Sequence, residues 1–319
     1  MVIFTKPIPR PALWGGTLIR EYFHYPDFPD GIGQSWSFSA QEGEGQSNLI
    51  VGGPYRGQTL IWLWQNQPEL FKSSFKRFPV IISLVAPMDD LSLQIHPDDR
   101  MAQEAGYPTG KNEAWYFLDA ENNASIVYGQ TARDETELRE RIAKDEWNTL
   151  MMHLPVHKGD FVYLPAGIVH ALKKGSIVYE IQQATDVTYR FYDYHRRDVL
   201  GRERPLQPEQ AIRCVHYDLS QKDAHPSPAR VRMENLTVTT WVDNDSFCVR
   251  RYELSGPQTL RFPRYALMTC VAGAGMADGV PFGIGESFLI TVGSRVRLEG
   301  NATLLCTGEG PGGNPVYPA

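Results

Sequence analysis

Cysteine is scarce in this chain: four among 319 residues, Cys214, Cys248, Cys270 and Cys306, all in the last third. None forms a CxxC pair, so neither a thiolate zinc site nor a disulfide framework is indicated. A basic excess is missing as well. Lys+Arg number 31 against 37 Asp+Glu, a net charge of −6, which argues against a surface for nucleic-acid phosphates. The longest apolar stretch, Phe78 to Met88, is interrupted by Ser83 and is too short to span a bilayer. The first residues, MVIFTKPIPRPALWGG, lack the basic-then-apolar layout of a secretory signal. Low-complexity tracts and residue-level repeats are absent too. With 42% apolar and 21% charged residues, a globular cytoplasmic protein of about two domains is expected.

Turn formers are plentiful and evenly spread, with 28 Gly and 23 Pro. Between them lie short β-branched and aromatic runs: QTLIWLW (58–64), VIISLV (80–85), SIVYG (125–129), DFVYLP (160–165) and SIVYEIQQ (176–183). LTVTTWV, FCVRRYEL, YALMTCV, ESFLITV and ATLLC continue the pattern at about ten-residue spacing, which reads as a sandwich or jelly roll. Three helices are expected. One starts at Pro68, with Leu70, Phe71 and Phe75 on one face. A second follows Asp134 and Glu137, a capping-box pair backed by i,i+4 pairs such as Glu135/Arg139. A third opens at Pro208. The polar segment SQKDAHPSPAR (220–230) is the best candidate for a linker. Phe161, Tyr163 and Tyr189 are expected inside a barrel, and Trp14 and Trp36 as core anchors.

Three segments carry chemistry. In Leu91-Ser92-Leu93-Gln94-Ile95-His96, apolar residues alternate with polar ones, so a strand would aim Ser92, Gln94 and His96 at one face. Taken alone, Gln94 and His96 read first as a hydrogen-bonded patch and second as metal ligands. In Gly110-Lys111-Asn112-Glu113, Lys111 and Glu113 share a face and read first as a salt bridge. The third segment, Gly159 to His170, has the form G-x5-P-x-G-x2-H: a turn, a strand, then a tight Pro165–Gly167 bend presenting His170 inward. It resembles the second motif of cupins, whose histidine binds metal inside a small jelly-roll barrel. Together, Gln94, His96, Glu113 and His170 would offer two nitrogens and two oxygens with positions left open, as in a catalytic zinc site.

At this point the sequence resembles the type I mannose-6-phosphate isomerases of the short bacterial form. The matching residues are Trp14-Gly15-Gly16, Ser92 to Asp99, Gly110 to Tyr116, Pro165 to Ala171, Glu180 to Arg190 and Tyr192-Asp193-Tyr194. They run in the family's order and cover most of residues 1–205. The resemblance implies a mainly β fold: a metal-binding catalytic cupin domain with helical insertions over 1–220, and a degenerate jelly-roll domain over 221–319. It also implies one zinc ion per chain, held by Gln94, His96, Glu113 and His170. Arg190 would be the active-site arginine, with Ser92, Lys111 and Asp193 in the substrate pocket and Lys111 also catalytic. The partner implied is a small sugar phosphate, mannose 6-phosphate exchanging with fructose 6-phosphate through a cis-enediol. Lys111 would bind phosphate as a point charge, or shuttle protons if its pKa were lowered.

Two departures stand out. Ser83 replaces a lysine typical of the family, and Gly33-Gln34-Ser35-Trp36-Ser37 lacks two of the family's carboxylates. They leave room for a sugar-phosphate-binding cupin of altered specificity or without catalysis. Another metal-dependent cupin enzyme, such as a dioxygenase, would favour a dense His-x-His cluster, which is not the pattern here. Gly285 to Gly293 echoes the G-x5-P-x-G motif without its proline or histidine, as expected of a structural second barrel.

Overall fold

The computed structural model describes residues 1–311 and the backbone of 317 and 318. The apolar runs at 80–85, 125–129, 160–165 and 176–183 form strands Val80–Val85, Ser125–Gln130, Phe161–Leu164 and Ser176–Gln183. Six strands make one antiparallel sheet, ordered Ile8–Gly16, Ile32–Phe38, Val80–Val85, Ser176–Gln183, Glu113–Ala120, Phe161–Leu164. Five more make a second: Tyr189–Tyr192, Leu93–Ile95, His170–Ala171, Ser125–Gln130, Met151–Pro155. Apolar side chains of both sheets meet in one core, with Val85, Trp115, Phe117 and Val178 against Ile126, Tyr128 and Leu154. This is the barrel in which the polar motifs lie.

The six-stranded sheet is covered on its other face as well. Ile82, Leu84, Tyr179 and Ile181 pack there on Phe247, Val249, Leu267 and Leu305. That explains why Val80–Val85 and Ser176–Gln183 are buried throughout instead of alternating with exposed positions. It also relocates two aromatics. Phe161 and Tyr163 point away from the barrel interior: Phe161 stacks on Trp241 at 4.8 Å, and Tyr163 accepts a hydrogen bond from Asn244 at 3.0 Å. Their neighbours Val162 and Leu164 face inward, as alternation along a strand requires.

Nine strands of the last third and Val2–Thr5 form a ten-stranded antiparallel sheet around the fifteen-residue strand Ser294–Gly308. Its interior is apolar, filled by Leu236, Tyr252, Phe262, Met268, Phe288 and Leu304 among others. A division at residue 220 remains our proposal for the organisation, with one strand crossing it: Val2–Thr5 pairs with Ser287–Ile290.

The helices correct two readings. QTLIWLW is not a strand: Leu60–Asn66 is helical, because Thr59 caps it by accepting from Trp62 N and because Leu60 and Leu63 are buried at helical spacing. Pro68 then opens only a 3₁₀ turn, Pro68–Leu70, not a helix reaching Phe75. Glu135–Ala143 and Pro208–Arg213 form as expected. Asp134 accepts from Glu137 N at 2.9 Å, but the Glu137 carboxylate reaches Arg133 N instead of closing the capping box.

Phe288 ties the first strand to the last third, fully buried and 5.1 Å from the ring of Phe4. Phe288→Ala is expected to lower the unfolding free energy by about 3–5 kcal/mol in denaturant titration. A loss below about 1 kcal/mol would show that this contact is not central to stability.

Candidate active site

Each polar motif sits where a sheet end meets a bend. Leu93–Ile95 ends at His96, and His170–Ala171 pairs with it so that His170 lies opposite Gln94. On its other side Gln94 faces Arg190. Glu113 begins Glu113–Ala120 in the other sheet, opposite Gln182. Gly167 takes φ +90°, with the His216 ring 2.5 Å from where a Cβ would be, so only glycine fits the bend before His170. Its N–H donates to His96 O at 2.9 Å, tying the two histidine segments together. Gly110 approaches the Asp98 backbone so closely that a Cβ would lie 2.5 Å away. That contact docks the Lys111–Glu113 segment beside His96, with Lys111 N donating to Pro97 O.

The result is a compact buried cluster. Donor atoms of His96, Glu113 and His170 lie within 4.8 Å of one another. Each imidazole is oriented through its other nitrogen: His96 Nδ1 donates to Val187 O at 2.9 Å, and His170 Nδ1 donates to Ile168 O at 3.0 Å. A carbonyl only accepts, so both Nδ1 atoms carry the proton and both Nε2 atoms turn a lone pair inward. These lone pairs face Glu113, with His96 Nε2 3.4 Å from Oε1 and His170 Nε2 3.4 Å from Oε2. His96 Nε2 and Glu113 Oε2 are buried without any hydrogen-bond partner. Gln94 completes the ring, its amide nitrogen 3.4 Å from His170 Nε2 and its oxygen accepting from Ser92 Oγ at 3.3 Å.

Electrostatics sharpen the picture. Burial, with the charge of Lys111 adding to it, pushes His96 down to about 3, so no proton on Nε2 bridges it to Glu113 at neutral pH. Burial would raise Glu113, yet the Lys111 charge, 2.9 Å away, and His96 hold it well below the usual carboxylate range. Two nitrogen lone pairs and an ionised carboxylate around one point are mutually repulsive unless a cation sits among them. The residues therefore fit a divalent metal, and the donor set is that of zinc or a similar borderline ion.

Lys111 behaves differently from one expectation. Burial would lower its pKa, but Glu113, Glu180 and Asp186 together raise it, so the ammonium stays protonated in this arrangement. Glu180 goes the other way: burial and the Glu113 charge raise it, while Trp115 Nε1 and Ser83 Oγ donate to its two oxygens at 2.9 and 2.8 Å.

The cluster opens into a cavity of about 600 Å³ whose wall includes Ser92, Gln94, Lys111, Glu113 and Arg190. Asp193 does not line it. Its carboxylate is buried and taken up by Arg204 (2.7 and 2.6 Å) and Arg196 (2.6 Å), so it places Arg204 on the wall instead. Arg190 Nε is buried without a partner, and its guanidinium loses basicity through burial and the neighbouring Arg204 charge. Motif reading gave no role to Glu180, Asp186, Arg204 or Arg10, all on this wall. Glu180 and Asp186 lie inside the quoted motif, whereas nothing near Arg204 or Arg10 in sequence marks them.

An antiparallel barrel with an inward His–Glu–His cluster under a polar cavity is the arrangement of cupin-type enzymes. No protein-family model matches the chain. It is 35% identical over 312 residues to mannose-6-phosphate isomerase ManA of Bacillus subtilis (strain 168), covering 95% of this chain and 97% of that protein. It is 36% identical over 275 residues to the mannose-6-phosphate isomerase of Streptococcus mutans, covering 86% and 85%. The crystal structure of the mannose 6-phosphate isomerase from Bacillus subtilis superposes with a TM-score of 0.91 at 32% identity, over 96% of this chain and 99% of that one. The chain belongs to the mannose-6-phosphate isomerase family.

Asp193 generates a pH prediction. Burial would raise its pKa, but hydrogen bonds from Arg204 and Arg196 depress it. A depressed carboxylate contributes stability that is complete above the unfolded value near 4 and is lost as pH falls through the folded one. Asp193→Asn should thus cost about 1–3 kcal/mol at pH 7, with the gap constant to pH 5 and narrowing below about pH 4. Equal stability of the two proteins at pH 7 would overturn this.

Proposed function

We propose that this protein interconverts mannose 6-phosphate and fructose 6-phosphate with one zinc ion per chain, through a cis-enediol. The observation that carries the reading is the cation-demanding cluster of His96, Glu113 and His170 at the base of a cavity whose wall brings Arg10, Lys111, Arg190 and Arg204 together with the carboxylates Asp30, Glu180 and Asp186. Gln94, His96, Glu113 and His170 would hold the ion, Gln94 through its amide oxygen, since an amide's two ends exchange places by rotation. The chemistry a zinc ion supplies there, when bound, is Lewis-acid polarisation of oxygen atoms.

Aldose–ketose exchange moves a proton between C2 and C1 while negative charge builds on O1 and O2. Arg190, on the strand beside Gln94, is a permanent positive charge at that end of the cavity and lowers the cost of the developing charge. Lys111, protonated and 2.9 Å from Glu113, adds a second donor there. Glu180, pinned by two donors and raised in pKa, is the wall carboxylate suited to take the carbon-bound proton. Ser92 would bond a sugar hydroxyl, and Asp193 serves substrate binding by fixing Arg204. A small sugar phosphate as partner, four unpaired buried cysteines and the absence of any helix long and apolar enough to cross a membrane, among the described residues, fit a cytoplasmic enzyme.

A coupled isomerase assay tests this. Activity should vanish with a chelator and return with zinc. His170→Ala should lose bound metal, whereas Arg190→Ala should keep it and lower kcat by about 10²–10³-fold. An inactive wild-type protein, or full activity in the presence of chelator with no bound metal, would reject the reading.

A further inference from the structure

The reacting carbons and the phosphate of a hexose 6-phosphate lie at opposite ends of a six-carbon chain. Whatever receives the phosphate must therefore stand away from the cluster, and Lys111 and Arg190 both stand beside it. Resting on the function just proposed, we propose that Arg10 is the phosphate-receiving cation, held in place by the face of Trp36.

Register sets the distance. Glu113 is level with Gln182 on the strand Ser176–Gln183. Arg10 pairs with Gln34, Gln34 with Val85, and Val85 with Val178, so Arg10 belongs to the row of Val178. Four residues separate the two rows, about 13 Å in the strand direction at ~3.3 Å per residue, and four strand-to-strand steps across the sheet also lie between Arg10 and Glu113. Trp36 lies on the row between them, level with Ser83 and Glu180. The guanidinium carbon of Arg10 lies 4.0 Å from the centre of the Trp36 ring, back over the cavity that both residues line. Trp36 is itself fixed, its Nε1 donating to Gln34 Oε1 at 3.1 Å. A stacked guanidinium keeps its edge donors free for a planar, bidentate contact with phosphate oxygens.

The surroundings leave this charge uncompensated. Among the described residues Arg10 takes part in no salt bridge. Its cross-strand neighbour is the neutral amide Gln34, and Trp36 is flanked by the neutral Ser83. Asp30, also on the wall, is engaged by Arg20 at 2.6 Å, and Glu180 is held by Ser83 and Trp115. Arg204 is the competing cation, yet its Nε and one terminal nitrogen are committed to Asp193. Gln34 and Ser83, with Ser37, are the positions read above as departures from the pattern of the family that the sequence resembles. A dianion beside Arg10 would meet neither a carboxylate from position 34 nor a lysine from position 83.

Steady-state kinetics of the zinc-loaded protein test the assignment, with inorganic phosphate as a competing ligand. Arg10→Gln should raise KM for mannose 6-phosphate by about 10–100-fold and change kcat by less than about threefold. The inhibition constant of inorganic phosphate should rise in parallel. Arg10→Lys should recover part of both, and unchanged metal content and melting temperature would show that folding is intact. The assignment is overturned if KM is unchanged, if KM rises while phosphate inhibits as before, or if Arg204→Gln weakens phosphate inhibition and Arg10→Gln does not. Absence of isomerase activity in the wild-type protein would instead reject the function on which the assignment rests.

Discussion

A carboxylate buried against two imidazole lone pairs is unstable as drawn, and the barrel is arranged around that instability. Glu113 comes from one sheet and His96 and His170 from the other, so the cluster is also where the sheets are joined. Each component is committed before any ion arrives. The imidazoles are locked by Val187 and Ile168 carbonyls, the carboxylate is kept ionised by Lys111, and the Gly167 N–H clamps the His96 segment to the His170 segment. Such preorganisation leaves the repulsion in place in the folded protein, and a divalent cation bound there would convert it into attraction.

The same strand chemistry yields two different interiors. In the first barrel the inward positions near the cluster are Gln94, Glu113, Glu180 and Gln182, which remain polar because each has a partner or faces the cavity. In the last third the corresponding space is filled by Leu, Phe, Met and Cys side chains at close packing. One unit can therefore host a substrate while the other supports it. The six-stranded sheet carries the contact between them, buried on both faces.

Charge is graded along the cavity. Near the cluster, Lys111 is balanced by Glu113, Glu180 and Asp186, while burial and the Arg204 charge depress the basicity of Arg190. Farther along, Arg10 stands alone on an aromatic face. A ligand with a reactive carbonyl end and a dianionic end matches that gradient, with proton chemistry confined to the crowded end and binding energy drawn from the uncrowded one.

The strands at 80–85, 125–129 and 176–183 and the helix behind Asp134 were legible in sequence because hydrophobic runs and capping residues act locally. The helix at Leu60–Asn66 was not: Trp62 and Trp64 mimic strand alternation, and only the burial of Leu60 and Leu63 against the core selects the helical period. Within the site, the alternation that puts Gln94 and His96 on one face and the Pro165–Gly167 bend that turns His170 inward were readable because both act locally, whereas Glu113 read first as the salt-bridge partner of Lys111. Sequence alone thus determined which polar side chains share an inward face, since local backbone geometry fixes where each one points. Tertiary structure alone decided that they do meet, that Asp193 supports Arg204 rather than touching the cavity, and that Arg10 reaches it. Those outcomes depend on strand register between segments far apart in the chain, and pairing across a sheet leaves no mark in the sequence of either strand.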